Sequence, residues 1–246
     1  MNRLWILAHQ DDEIFGLHFI DDSTNNFVMY LTDGVRLGAE YSSETRKEEA
    51  RKSWNLLDKR AEINFFGSTH SIKDGMLLDL FKPSHLHEIM NLCILQNINE
   101  VITLEFEGGH QDHDIASLIS QEISRRLSLD CLTYTSYRAI HKSFPFYKVM
   151  SSHKQILSES RNPLILKCKL TFNSFKVMRI YKTQNSTWFG LGIFIVLRYF
   201  LGTPGFRRVL PADDELNLFP LHFLYITRRK FRRIDFLSFL QEIHNW

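Results

Sequence analysis

The chain has 246 residues, of which 44% are hydrophobic and 24% charged, with a formal net charge of +2. That balance excludes a disordered chain, and a charge so near neutrality gives no ground for a nucleic-acid partner. Residues 4–8 (LWILA) read as a buried strand, and His9, Gln10, Asp11, Asp12 and Glu13 follow at once. Further strands are expected at 27–32 (FVMYLT), 62–66 (EINFF), 100–104 (EVITL) and 131–137 (CLTYTSY), all short and nearly continuous in apolar character. Between them lie helical patterns. Residues 43–58 open with a Ser/Thr cap and place Ala50, Trp54 and Leu57 on one stripe, and 83–98 begin with proline and serine. Residues 112–127 carry Ile115, Leu118, Ile119 and Ile123 at helical spacing. Strand and helix in alternation predict an α/β fold, a Rossmann-like three-layer sandwich around a mostly parallel sheet.

The second half is less regular. Residues 141–163 read as an excursion or lid, 171–202 as helix, and GTPG at 202–205 as a break. The C-terminal stretch 226–246 reads as a strand running into a basic amphipathic helix. One domain over 1–246 is expected, with 1–140 as its core and 141–246 as a substrate-specificity region and C-terminal strand/helix extension. Met1-Asn2-Arg3 leads straight into the first strand without a leader pattern, and the apolar run Trp188–Leu197 meets Arg198. That run is shorter than the roughly 18–20 residues a spanning helix needs, so a cytoplasmic chain with a buried or interfacial helix is expected. RRKFRR at 228–233 reads as a solvated helix face; with the 188–201 segment it also fits peripheral contact with an anionic membrane, or a dimer face. Cys93, Cys131 and Cys168 are widely spaced with apolar flanks, the pattern of reduced core thiols.

Ligands of a parallel sheet gather outside the carboxyl ends of its strands. The first strand delivers His9, Asp11 and Asp12 there, the second ends in Thr32-Asp33-Gly34, and the fourth leads into EFEGGHQDHD with Glu105, Glu107, His110, Asp112, His113 and Asp114. A lone HxDDE or HxDH is commonly a solvated loop. Both at the ends of one sheet point to a cation that makes the charge cluster tolerable. Imidazole and carboxylate without thiolate suit Zn²⁺, one per chain, or another first-row ion such as Fe²⁺, whereas Mg²⁺ prefers oxygens alone. By spacing, His9, one of Asp11 and Asp12, and one of His110 and His113 satisfy a catalytic ligand count, and the remaining carboxylate is left as general base. Arg138, at the end of the fifth strand, can reach the rim or sit as a surface arginine. His141, His153 and His222 lack ligand partners, and His85 and His87 are expected on a solvated helix face.

These motifs resemble a known family. AHQDDE at 8–13 looks like the AHPDDE signature of the PIG-L/LmbE-like de-N-acetylases, and HQDH at 110–113 is similar to their HPDH motif. TDG at 32–34, TRKEEA at 45–50 with Arg46 and Glu49 in register, KDGML at 73–77 and FKVMRIYKTQ at 175–184 follow in the family's order. The resemblance implies that His9, Asp12 and His113 bind Zn²⁺ and that Asp11 is the general base. It implies that His110 polarises the amide oxygen or protonates the leaving amine, with Asp112 orienting it. Arg46 and Asp74 match positions that hold substrate hydroxyls or anionic groups. The implied activity is removal of acetyl from an N-acetyl-amino sugar of the N-acetylglucosamine type, free or on a lipid or nucleotide carrier. A sugar–thiol conjugate as the amide substrate, or a non-catalytic binding module, are the competing readings. Gln10 and Gln111 stand where the family has prolines, and Gly108 and Gly109 stand where it has a tyrosine upstream of the second motif.

Overall fold

An apolar run such as LWILA is favourable only where both of its faces are covered. The chain satisfies this by making β1 (Asn2–Leu7) the centre of a sheet, with β2 (Asn25–Tyr30) on one side and β4 (Glu100–Leu104) on the other. The sheet order is completed by β3 (Glu62–Asn64) beyond β2, and by β5 (Asp130–Tyr134) then β8 (Phe206–Val209) beyond β4. The first five strands are parallel, and β8 closes the edge antiparallel to β5. This computed structural model describes residues 1–21, 23–139, 147–150, 164–201, 206–209 and 233–244.

Helices cover both faces of the sheet. α1 (Ser43–Leu57) starts where Ser42 Oγ accepts the Thr45 N–H, and docks Trp54 edge-on to Trp5 of β1 with ring centroids 5.5 Å apart. The short α2 (Phe66–Thr69) and α3 (Leu77–Leu80) lead to α4 (Pro83–Leu95), with proline in its first turn, and to α5 (Gln111–Leu127), which lies against β1, β4 and β5. Because β2 and β4 flank β1 on opposite sides, the crossovers diverge between β1 and β4 and open a crevice at their carboxyl ends. Ile6 pairs with Thr103, so the loops after β1 and β4 leave the sheet side by side. That register brings the two motifs together.

The expected 131–137 strand divides. β5 ends at Tyr134, and after two residues β6 (Tyr137–Ala139) forms an antiparallel ribbon with β7 (Tyr147–Val149). The expected 171–202 helix is two, α6 (Leu164–Ile180) and α7 (Asn185–Leu201), hinged at a 3-10 turn over Lys182–Gln184. At the C-terminus α8 (Arg233–His244) packs on α4 and α5 through Phe239 and Ile243. The remainder of 141–163, the break at 202–205, His222 and nearly all of 228–233 lie outside the described residues.

Two smaller expectations are corrected. Cys93 and Cys131 are buried, but Cys168 is exposed, since α6 turns it away from the stripe that packs. His85 is buried rather than solvated, because its Nδ1 accepts the Lys82 N–H and helps to start α4, while His87 is exposed.

Candidate metal centre

At the end of β1 the chain turns sharply. Asp11 takes a φ of 132°, a region non-glycine residues avoid at a cost of about 1–3 kcal/mol, and a 3-10 turn over Asp12–Phe15 follows. The turn aims His9 and Asp12 at His113, which projects from the first turn of α5. His9 Nδ1 lies 3.3 Å from His113 Nε2, Asp12 Oδ1 lies 3.1 Å from His113 Nε2, and Asp12 Oδ2 lies 3.7 Å from His9 Nδ1. Ligand atoms about 2.0–2.1 Å from a tetrahedral Zn²⁺ sit about 3.3 Å apart, so the spacing is that of a ligand triad.

The surrounding hydrogen bonds support the same reading. His113 Nδ1 lies 3.1 Å from Ser136 Oγ, and Ser136 in turn donates both its hydroxyl, at 2.5 Å, and its N–H, at 2.7 Å, to Glu107 Oε1. Ser136 Oγ is thereby left to accept, so the His113 proton resides on Nδ1 and the Nε2 lone pair faces the triad. His9 Nε2 lies 3.1 Å from Asp112 Oδ2 and 3.3 Å from Asp74 Oδ1, which places the His9 proton there and turns the Nδ1 lone pair inward. Two lone pairs and a carboxylate oxygen so close repel one another unless a cation lies between them. The donor set fits Zn²⁺, which His9, Asp12 and His113 would hold.

Asp11 is held separately. Arg46 of α1 donates to Asp11 Oδ1 at 2.8 Å and to the Gln10 carbonyl, and burial pushes the Asp11 carboxyl up to about 7 against the pull of that guanidinium. Glu49, one turn along α1, accepts the Thr183 N–H at 3.0 Å and hydroxyl at 2.5 Å, which clamps the turn between α6 and α7 onto the site. Glu13 is structural: its carboxylate accepts from Ser53, Tyr181, Tyr30 and the Asp11 N–H. The two glutamines that replace family prolines act as tethers, Gln10 donating to the Thr32 carbonyl at 3.2 Å and Gln111 to the Gly75 carbonyl.

A cleft of about 410 Å³ opens above the triad. Of the sequence-predicted residues, His9, Asp11, Asp12, Arg46, Asp74, His110 and His113 line it. Asp112 is brought to the site in a different role from the expected one. Its carboxylate accepts the Gly75 N–H at 2.6 Å and the Leu77 N–H at 3.2 Å and faces His9, because the start of α5 turns it inward; only its backbone N–H reaches His110, donating to Nδ1 at 3.2 Å. The nearest carboxylate to His110 Nε2 is Asp74, at 4.0 Å, and burial lowers the His110 pKa to about 3. His110 is therefore a neutral imidazole with its proton on Nε2. Arg46 is buried in its pairings. Arg138 is on β6 opposite Lys148, and its side chain lies outside the described residues.

Sequence reasoning missed Phe15, Arg36, Tyr137, Thr187 and Trp188 as contributors to the cleft, and read Gln184 only as the end of the FKVMRIYKTQ segment. Arg36 is a loop arginine without a motif, and its Nε lies 3.3 Å from Asp74 Oδ2. Tyr137 stacks edge-on to His113, with ring centroids 5.6 Å apart. A signal for Tyr137 existed in Gly109: a Cβ there would fall 1.8 Å from the Tyr137 carbonyl oxygen, so the glycine lets β6 cross close to the second motif.

Residues 4–124 match the family model described as GlcNAc-PI de-N-acetylase, PIG-L. No curated protein sequence matches the chain. Among solved structures, a triple mutant of a deacetylase in the teicoplanin biosynthetic pathway is similar at 14% identity and a TM-score of 0.61, covering 87% of this chain and 100% of that one. The N,N'-diacetylchitobiose deacetylase from Pyrococcus horikoshii is similar at 16% identity and a TM-score of 0.53, covering 85% and 83%. A conserved protein from Thermus thermophilus is similar at 16% and 0.53, covering 86% and 95%. At these identities the likeness is one of fold. The match to the PIG-L family thus runs over residues 4–124, which hold both motifs.

Proposed function

We propose that the chain is a zinc-dependent hydrolase that removes the acetyl group from an N-acetyl-amino sugar of the N-acetylglucosamine type, free or joined to a larger carrier. The observation that supports it most is the convergence of His9, Asp12 and His113 within 3.1–3.7 Å beside a carboxylate, Asp11, that faces the same cleft. The structural neighbours named as deacetylases, of teicoplanin biosynthesis and of diacetylchitobiose, favour the same reaction class.

A bound Zn²⁺ would supply Lewis acidity, making water acidic near neutrality and polarising the acetamide carbonyl. Asp11 takes the proton of the attacking water, with Arg46 holding Oδ1 so that Oδ2 is directed at the cleft. Water oxygen adds to the carbonyl carbon, and the oxyanion that forms receives the Nε2–H of neutral His110. The C–N bond then breaks, Asp11 returns its proton to the amine nitrogen, and acetate and the free amino sugar leave. Asp74 and the exposed Arg36 frame the mouth where sugar hydroxyls would be read.

Purified protein assayed for metal content and for acetate release from a panel of N-acetyl sugars tests the reading. About one zinc per chain and acetate from N-acetylglucosaminides are expected. Protein that binds no divalent ion under any loading condition ends the proposal in favour of a non-catalytic module. Zinc binding with hydrolysis confined to sugar–thiol amides moves the substrate class.

A further inference from the structure

From Trp188 to Leu197 α7 is apolar around its whole circumference, although among the described residues only one side of it packs. Gly192, Ile195 and Tyr199 face inward; a Cβ on Gly192 would lie 2.9 Å from Met178 Sδ, so α6 and α7 approach closely there. On the outer side Phe189, Ile193, Leu197 and Phe200 recur at helical spacing with exposures of 95%, 63%, 44% and 51%. A helix apolar on all sides belongs in a protein core or a lipid environment, and nothing among the described residues covers this side. α6 presents exposed Phe172 and Phe175 interleaved with Lys169, Lys176 and Arg179, with Lys176 Nζ 4.3 Å from the Phe172 ring centroid. From 164 to 201 the chain has six basic residues and no Asp or Glu, whereas all 28 acidic residues lie elsewhere.

We propose that the outward face of the α6–α7 hairpin docks on an anionic lipid bilayer. Phe189, Ile193 and Phe200 enter the boundary between headgroups and acyl chains, and Lys169, Lys176 and Arg179 meet the lipid phosphates. Charge selects this occupant over a second copy, since self-association would press two acid-free basic faces together. Thr187 and Trp188, in the first turns of α7, wall the cleft, so docking sets its mouth beside the membrane and suits an acetamido sugar carried on a lipid. That last step rests on the deacetylase reading. The docking itself does not.

Co-sedimentation with phosphatidylcholine vesicles, with and without one-third phosphatidylglycerol, tests the proposal on the full chain. Binding to the anionic vesicles, well above that to phosphatidylcholine alone, is expected. The pair Phe189→Glu and Ile193→Glu should weaken it about tenfold or more, and the pair Lys169→Glu and Lys176→Glu should weaken the anionic preference by a similar factor. Thermal melts verify that both variants are folded. A benzophenone amino acid in place of Ile193 should cross-link to lipid. Wild-type protein that ignores anionic vesicles, variants that bind as tightly as wild type, or a cross-link to a second copy or to residues 202–232 each overturn the proposal. Acetate release from soluble N-acetyl sugars without vesicle binding removes the docking alone, and vesicle binding without acetate release removes the deacetylase alone.

Discussion

The motif-bearing half, residues 2–139, and the α6–α7 hairpin treat polarity in opposite ways. The first buries an unusual density of ionisable groups: Asp12, Glu13, Arg46, Glu49, Asp74, Glu107 and Asp112 are in the interior and Asp11 is half-buried beside them, each with a named partner. The hairpin leaves large apolar side chains in the open and has no carboxylate with which to balance its lysines and arginines. Buried charge is tolerable only when geometry satisfies it, so the first half is held to narrow tolerances. An exposed apolar and basic face demands little of its own fold and much of a partner. Substitutions should therefore act on chemistry in one region and on association in the other.

The largest effect is expected at Asp11. Asp11→Asn keeps the shape and the Arg46 contact but removes the proton acceptor, so acetate release should fall by about 10²–10⁴-fold. Metal content should be unchanged, because Asp11 is not among the three converging ligand atoms. If metal is lost together with activity, Asp11 is a ligand and the base must be sought elsewhere.

Next comes the support behind His113. Ser136→Ala removes the hydroxyl that fixes the His113 tautomer, and should weaken zinc affinity about 10–100-fold in a competition titration with a chelator. An unchanged affinity would show that the Ser136–Glu107 relay is only packing. Ser136 was not legible in the sequence as part of the site, and Glu107 was placed at its edge without a role. Ser136 falls within an expected strand that in fact stops at Tyr134, and Glu107 is one acid among several before the second motif. The two clusters, by contrast, could be read from residues 9–13 and 110–113 because two compact motifs follow strands that the topology makes neighbours, and it was the family resemblance that chose Asp12 and His113 as ligands and Asp11 as base. The same reasoning could not place Asp112. The spacing HxDH does not reveal that the carboxylate folds back to cap the Gly75–Leu77 turn rather than reaching His110.

A smaller effect belongs to Glu107 itself. Burial pushes its carboxyl up to about 8, so the folded chain retains a proton that the unfolded chain releases near the ordinary glutamate value of 4.5. The folded state binds the extra proton between those values, and stability must therefore fall as pH rises through that window. Glu107→Gln keeps an oxygen for Ser136 to bond and has no proton to lose, so its stability should be flatter than wild type between about pH 5 and pH 8 in denaturant titrations. Parallel curves for the two proteins would show that Glu107 is ionised in the folded chain.

The smallest effect sharpens the comparison most. Phe189→Ser removes a large aromatic ring from α7, and in a core such a deletion would cost several kcal/mol. On a face that the fold leaves uncovered, the ring is as hydrated in the folded chain as in the unfolded one, so stability should change by less than about 0.5 kcal/mol. The same substitution should raise solubility, since it interrupts a contiguous apolar patch. A loss of stability of core size would mean that some part of the chain itself packs over Phe189, and the hairpin would then obey the same rule of internal satisfaction as the motif-bearing half.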